Sequence, residues 1–320
     1  MPTAVWCVWC VWREGAVWEV GRSISAVRRT LVDLWDLVSI GVPGVGVVAG
    51  AGVMAAAIAG VWWAAVVLVL VVVVAGVFTW WPRRRVEALP ATDGVRVLAA
   101  NLWYWNPDMV AAGRSLLSVG ADVVVVSELS TTAHEVLVEH YAHHEVLTFD
   151  GSTGHGVYSR FPLERLPDLQ VGGISVPGQV VWVRVMAPVP FVLCGAHLPR
   201  PTVVAKASDG TARFAVCRDG VRRMAEIVAA MPDAVVAGDL NLSDRQPAYG
   251  DLVRGRLDAM RTVRAGNTFH ATPWHAYWRL FAMRIDHLVV PAGWRVSDAE
   301  VVPISGSDHR GVCATIAPPR

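Results

Sequence analysis

From Leu37 to Trp81 the chain carries no charged residue, a run of 45 positions that restricts its folding more than any other feature. An uncharged loop of that length is not tolerated in water, because buried backbone needs partners and exposed loops need polar side chains. A bilayer core takes about 20 apolar residues as helix, so the run is overlong for one span and fits two. Trp62 and Trp63 flank one side of "AAVVLVLVVVVAGVFT", and Trp80 and Trp81 flank the other. Tryptophan favours the two membrane interfaces. The run therefore predicts a helical hairpin with spans over 37–60 and 62–81.

The first span is rich in glycine. Gly46 and Gly50 form a GxxxG step, continued by Gly52, Ala56 and Gly60. Such a face lets helix backbones approach closely and offers a route to helix–helix self-association. Arg22, Arg28 and Arg29 precede the run and Arg83–Arg85 follow it. Positive charge favours the cytoplasmic side, and a two-span hairpin satisfies both ends. The expected location is the cell membrane, multi-pass with about two spans. The tryptophan-rich segment 1–36 is too short in apolar residues to cross before Arg13. Cys7 and Cys10 form a CxxC with no matching Cys/His pair nearby, which leaves a metal role without support.

Beyond Arg85 the composition changes. The first 85 residues hold seven arginines and four acids, whereas 86–320 hold 21 basic and 23 acidic residues and all ten histidines. Averaging the two parts gives the whole-chain charge of +1 and mean hydropathy of +0.42. Some 235 residues suffice for one domain with a real core. "GVRVLAANLW", "DVVVVSEL", "QVVWVRVM", "FVLCGAHL", "AVVAGDLN", "RIDHLVV" and "GVCATI" read as strands. "PDMVAAGRSLLSVGA" and the stretch from about Arg213 to Ala230 read as helices. Many strands and few helices, without strict alternation, indicate an α+β or layered sandwich.

The chemistry lies in what interrupts these apolar strands. Asn101 closes the first, Glu128 ends the second, and Asp239 with Asn241 ends "VVAGDLN". Asp286 opens "RIDHLVV", while Asp308 and His309 stand before the last strand. A carboxylate in an apolar run is costly unless paired or metal-bound. Four carboxylates, two asparagines and a histidine at the ends of five strands point to one converging site. Carboxylates with amide and imidazole partners, and no thiolate, suit a hard cation such as Mg²⁺ or Mn²⁺. Such ions are the usual equipment for phosphate-ester hydrolysis. No Walker A loop or GxSxG elbow is present.

The ordered set "LAANLW", "VVVVSELS", "GVYSRFPL", "GAHLPRP", "VVAGDLNLSDRQPAY", "RIDHLVV" and "GSDHRGV" resembles the endonuclease/exonuclease/phosphatase superfamily over essentially all of 95–317. The apolar hairpin before it is similar to a bacterial membrane-anchored branch of that superfamily. The resemblance implies a four-layer α/β sandwich, two mixed sheets packed face to face with helices outside, and Mg²⁺-dependent cleavage of a phosphodiester or phosphomonoester. It makes Glu128 the principal metal ligand, with Asn101 beside the ion and Asp308 close to metal or phosphate. Asp239 and Asn241 would orient or deprotonate the attacking water and hold the phosphoryl group. His197 would donate to a phosphate oxygen, and His309, oriented by Asp286, would contact the scissile phosphate.

Ser127 departs from the glutamine usual before the metal-binding glutamate. Arg200 and His155 lie in loops near motif positions and are candidates for substrate contact. His140, His143 and His144 fall at a predicted helix end and read as solvated, and His287 reads as structural. Cys194 and Cys313 read as small core residues. Nucleic acid, lipid headgroup and small phosphate ester all remain open as substrates. A catalytically silent, membrane-tethered binding module on the same fold is the competing reading. Retention of Asn101, Glu128, Asp239, Asn241, Asp286 and His309 favours the enzyme.

Overall fold

The computed structural model describes residues 36, 42–80, 85–91, 93–147, 154–167, 170–171, 174–175, 179–200, 213–263, 266–269 and 282–319. The rest of the tryptophan-rich segment, together with 37–41, Trp81, Arg83 and Arg84, lies outside the described residues.

The apolar run forms two helices, α1 over 42–58 and α2 over Trp62–Trp80. Gly60, at φ +72°, makes the turn between them, a backbone that glycine adopts without strain. The helices pack through small residues: a Cβ on Gly46 would stand 3.2 Å from the Cβ of Ala75, and one on Gly52 would stand 3.0 Å from Leu68 Cδ1. Gly46 therefore serves a contact within the chain's own hairpin. Among the described residues no helix is long and apolar enough to cross a membrane. The turn at Gly60 divides the run, and α2 beyond it is 19 residues long. The expected transmembrane region and multi-pass membrane location are corrected on this finding.

The described residues beyond Arg85 build two six-stranded mixed sheets with helices on their outer faces. In chain order the elements are β1 (Val95–Asn101), α3 (Met109–Ser118), β2 (Val123–Leu129), α4 (Thr131–Val138), β3 (His143–Leu147), β4 (Gly154–Ser159) and β5 (Leu163–Arg165). A two-residue hairpin, β6 (Gln170–Val171) and β7 (Ile174–Ser175), precedes β8 (Gln179–Val185), β9 (Phe191–His197) and α5 (Arg213–Ala229). Then come β10 (Ala234–Asp239), α6 (Pro247–Leu252), β11 (Arg256–Asp258), β12 (Asp286–Pro291), β13 (Arg295–Pro303) and β14 (Arg310–Ala317). The first sheet runs β13-β14-β1-β2-β4-β3 and the second β11-β12-β10-β9-β8-β5. Each has one parallel pair at its centre, β1 with β2 and β9 with β10, flanked by antiparallel strands.

The apolar runs follow from burial on both strand faces. Val123 and Val125 point between the sheets with Val97, Ala99, Val235, Ala237 and Leu288. Val124 and Val126 point outward against Leu116 of α3 and Leu137 of α4. On the other sheet Val192, Cys194 and Val236 meet Val221 and Met224 of α5. Cys194 and Cys313 are fully buried core residues. His143 and His144 stand on β3, not at a helix end. β-Pairing won there because the segment lies antiparallel to β4, where the His144 ring stacks on Tyr158 at 5.9 Å.

Candidate active site

The two parallel pairs end side by side, and their last residues carry the polar groups. In the first sheet Asn101 lies beside Ser127 in register. One step further, β2 carries a bulge between Ser127 and Leu129, and Glu128 adopts φ +53°. A bulge re-aims a side chain that regular pleating would turn away, and here it frees the Glu128 carboxylate from the ladder. Left-handed backbone at such a residue is strained and is kept where surroundings over-determine it.

In the second sheet His197, Asp239 and Asp286 sit across three neighbouring strands, Asp239 paired with both. Gly238 precedes Asp239 for a steric reason. At φ +141° a Cβ there would stand 1.9 Å from the carbonyl oxygen of Ala196. Past the strand, Asn241 at φ +48° returns its backbone N–H to Asp239 Oδ1 at 2.8 Å and donates Nδ2 to the Leu198 carbonyl at 2.9 Å.

Asn101 joins the sheets. Its Nδ2 donates to Asp239 Oδ2 at 2.9 Å and to Glu128 Oε1 at 3.1 Å. His197 Nε2 lies 3.9 Å from both carboxylates. His309 Nδ1 is 2.9 Å from Asp286 Oδ2, and its Nε2 is 4.0 Å from Asp239 and from Asp308. Ser307 Oγ donates to the Asn101 carbonyl at 2.8 Å and accepts the His309 N–H, tying the loop before β14 to the end of β1. The Phe269 ring rests on His309 at 4.9 Å. Ser307 and Phe269 escaped the sequence reading, although the serine two places before His309 was a visible signal.

Burial sets the electrostatics. Asp239 and Asp286 are sealed, while the side chains of Glu128 and His197 keep 23% and 17% of their exposure. The cluster opens to solvent on that side. Desolvation and the neighbouring Asp286 push Asp239 up to about 6, against the pull of His309, His197 and Asn101. For His309 burial alone would lower the pKa. The charge and hydrogen bond of Asp286, with Asp239 and Asp308, outweigh it and raise the imidazole to about 10.

Single oxygen or nitrogen atoms of Asp239, Asp286 and His309 lie within 4.8 Å of one another, the spacing of a cation cradle. Asp286 Oδ1 is buried and has no hydrogen-bond partner. An oxygen-rich donor set of this kind fits a hard divalent ion. This trio differs from the Glu128, Asn101 and Asp308 set implied by resemblance. Within the trio the His309 Nδ1 is already committed to Asp286, whereas the Glu128 carboxylate is part-open to solvent.

His155 is placed differently from expectation. It has no exposure, faces Ser127 Oγ at 3.4 Å through Nδ1, and lies 6.5 Å beneath the His197 ring. It fills the space behind Ser127, on β4 and closed to solvent. Desolvation, then the neighbouring His197, lowers its pKa to about 3, so it is neutral. Arg200 is exposed in the loop three residues past His197. His287 is buried, with Nε2–H donating to the Leu242 carbonyl at 2.9 Å, and is structural.

The model of the Endonuclease/Exonuclease/phosphatase family matches residues 98–309, which spans every strand end described above. The chain belongs to that family. Members of the family are typically metal-dependent hydrolases of phosphate-ester bonds. Solved structures share the fold. The endonuclease/exonuclease/phosphatase from Beutenbergia cavernae is 21% identical, with a TM-score of 0.52 over 70% of this chain and 72% of that one. Humanized D. rerio TDP2 is 18% identical, with a TM-score of 0.53 over 70% and 98%. The beta toxin of Staphylococcus aureus, solved with bound magnesium ions, is 14% identical, with a TM-score of 0.51 over 69% and 99%. No curated protein matches the chain.

Proposed function

We propose that this protein is a divalent-cation-dependent phosphoesterase that cleaves a phosphate ester by attack of water. The observation that carries the reading is the Asn101 bridge, which brings Glu128 of one sheet within hydrogen-bond reach of the Asp239 group on the other. Membership of the family and the magnesium in the beta toxin structure support the choice of Mg²⁺, with Mn²⁺ as its chemical substitute.

Glu128 would hold the ion, with Asn101 and Asp308 beside it. When bound, the ion supplies neutralisation of the charge that gathers on the phosphoryl group. The protein's own groups do the rest. Asp239, raised toward neutrality, accepts a hydrogen bond or proton from the attacking water. Asn241 fixes the Asp239 carboxylate through its N–H and with His197 donates toward phosphoryl oxygens. His309, kept protonated by Asp286, presents Nε2–H to the scissile group and stabilises negative charge there. Asp286 holds the ring through Nδ1 and fixes its tautomer.

Hydrolysis of bis(p-nitrophenyl) phosphate by the full chain tests this. Activity with Mg²⁺ that vanishes on chelation, and that His309→Ala lacks, supports it. Equal rates with and without the ion, or in both proteins, would overturn it.

A further inference from the structure

The residues immediately after Asn101 are Trp103, Tyr104 and Trp105, three aromatics that the reaction just described does not use. Their position is fixed by the site itself. The Tyr104 backbone N–H donates to Glu128 Oε2, and the Trp103 N–H donates to Asn101 Oδ1 at 2.9 Å. The segment is also held rigidly. Trp103 sits at φ +65°, an uncommon conformation for so bulky a residue. The Asn106 N–H closes the turn on the Trp103 carbonyl at 2.8 Å, and Asn106 Nδ2 donates to the carbonyls of Leu102 and Ser305 at 2.9 and 2.8 Å. Yet the rings at the tip face solvent: Trp105 is 67% exposed and Tyr104 44%.

A folded chain that fixes a strained turn so firmly, and then leaves a tryptophan in water beside a cluster of carboxylates, has built a surface for a ligand. The ring arrangement says what kind. Trp105 meets Tyr104 edge to face at 5.4 Å and 61°, and Trp103 at 6.3 Å and 76°. Edge-on neighbours support the Trp105 ring and keep it from collapsing onto the protein. A planar partner suits an open indole face, and every nucleobase has a π-face that stacks on such a ring regardless of sequence. Charge argues against a duplex. Residues 86–320 carry two more acids than bases, whereas duplex binding rests on many Lys/Arg–phosphate contacts.

We propose that Tyr104 and Trp105 form a stacking platform for the nucleobase of a nucleotide or single-stranded end whose phosphate ester lies at Glu128. The platform rests on the phosphoesterase reading above and adds the substrate class to it. It makes Trp105 a specificity-determining residue: the ring holds the base and thereby places the attached ester at the cluster.

The test compares two esters with the same leaving group, thymidine 5′-(p-nitrophenyl phosphate) and methyl p-nitrophenyl phosphate, using the full chain with Mg²⁺. The expected result is a higher kcat/KM for the nucleoside ester. Trp105→Ala lowers that preference ratio ~10-fold, the scale of one base–aromatic stack, while Trp105→Phe keeps most of it. A ratio unchanged in Trp105→Ala, or a wild-type ratio of about one, overturns the platform. So does a Trp105→Ala defect confined to hexadecyl p-nitrophenyl phosphate, which would make the rings a seat for an alkyl chain. Should neither ester be cleaved, the reaction fails and the platform is judged alone by calorimetry with thymidine 5′-monophosphate. Binding ~10-fold weaker in Trp105→Ala supports it, and no binding by the wild type overturns it.

Discussion

The two sheets are built alike and equipped differently. Each places a parallel pair at its centre and ends that pair at the same edge of the sandwich. The first sheet delivers Asn101 and Glu128, and its carboxylate is part-open and set off the ladder by a bulge. The second delivers His197, Asp239 and Asp286, of which both carboxylates are buried and tied into hydrogen bonds with Asn241 and His309. A part-open carboxylate is suited to take a cation from solvent; a buried, hydrogen-bonded set is suited to hold protons at fixed atoms. On the proposed function the division is a cation side and a proton side, and Asn101 bridges the two sheets.

Removing the proton side's imidazole has the largest expected effect. His309→Ala lowers kcat about 10³-fold, in the range for a lost acid–base or electrostatic group, with the Mg²⁺ dependence unmoved. A shifted Mg²⁺ midpoint with kcat intact would erase the division. The second sheet's end also carries a buried ion-pair network. Arg284, fully buried, pairs with Asp258 at 2.5 Å and Asp244 at 3.3 Å, and links the segment before β12 to the loop after β10. Arg284→Ala leaves those carboxylates buried without their cation, so denaturant unfolding records a loss of about 3–5 kcal/mol. A loss under 1 kcal/mol would mean that the network is not what holds this edge.

Asn101→Ala sharpens the comparison at the bridge. Losing a partner that orients a metal-binding carboxylate typically costs 10–100-fold in affinity, so the Mg²⁺ concentration for half-maximal rate rises by about that factor. An unchanged midpoint would place Asn101 wholly with Asp239. The smallest effect concerns pH. Burial, then Arg284, lowers His287 from 6.5 to about 4 in the folded chain. On acidification the unfolded chain takes up its proton first. The stabilisation is therefore complete above about pH 6.5, declines between 6.5 and 4, and is gone below. Urea midpoints at pH 7 and pH 5 should differ less in His287→Asn than in the wild type; equal differences would remove His287 from the cause.

Much of this was legible because double-sided burial leaves a plain trace. "DVVVVSEL" and "AVVAGDLN" are apolar at every position since both faces are covered, and their polar last residues stand out. The convergence of Asn101, Glu128, Asp239 and His309 follows from where those strands stop. What escaped depends on contacts between distant segments. Nothing local separates His155, buried under His197, from a loop histidine facing substrate. The β-pairing that puts His143 and His144 on β3 is supplied by β4. The 45-residue apolar run misled for a related reason: hydropathy counts residues, while the backbone decides where a helix stops, as at the Gly60 turn.

The central claim, that Glu128 serves the cation and Asp239 the proton, is tested most directly by one titration. Rates of bis(p-nitrophenyl) phosphate hydrolysis are measured against Mg²⁺ for the wild type, Glu128→Gln and Asp239→Asn. The account predicts that Glu128→Gln moves the midpoint to at least ~10-fold higher Mg²⁺, while Asp239→Asn lowers the plateau by at least ~10²-fold at an unchanged midpoint. A midpoint that moves with Asp239→Asn and stays put with Glu128→Gln would contradict it.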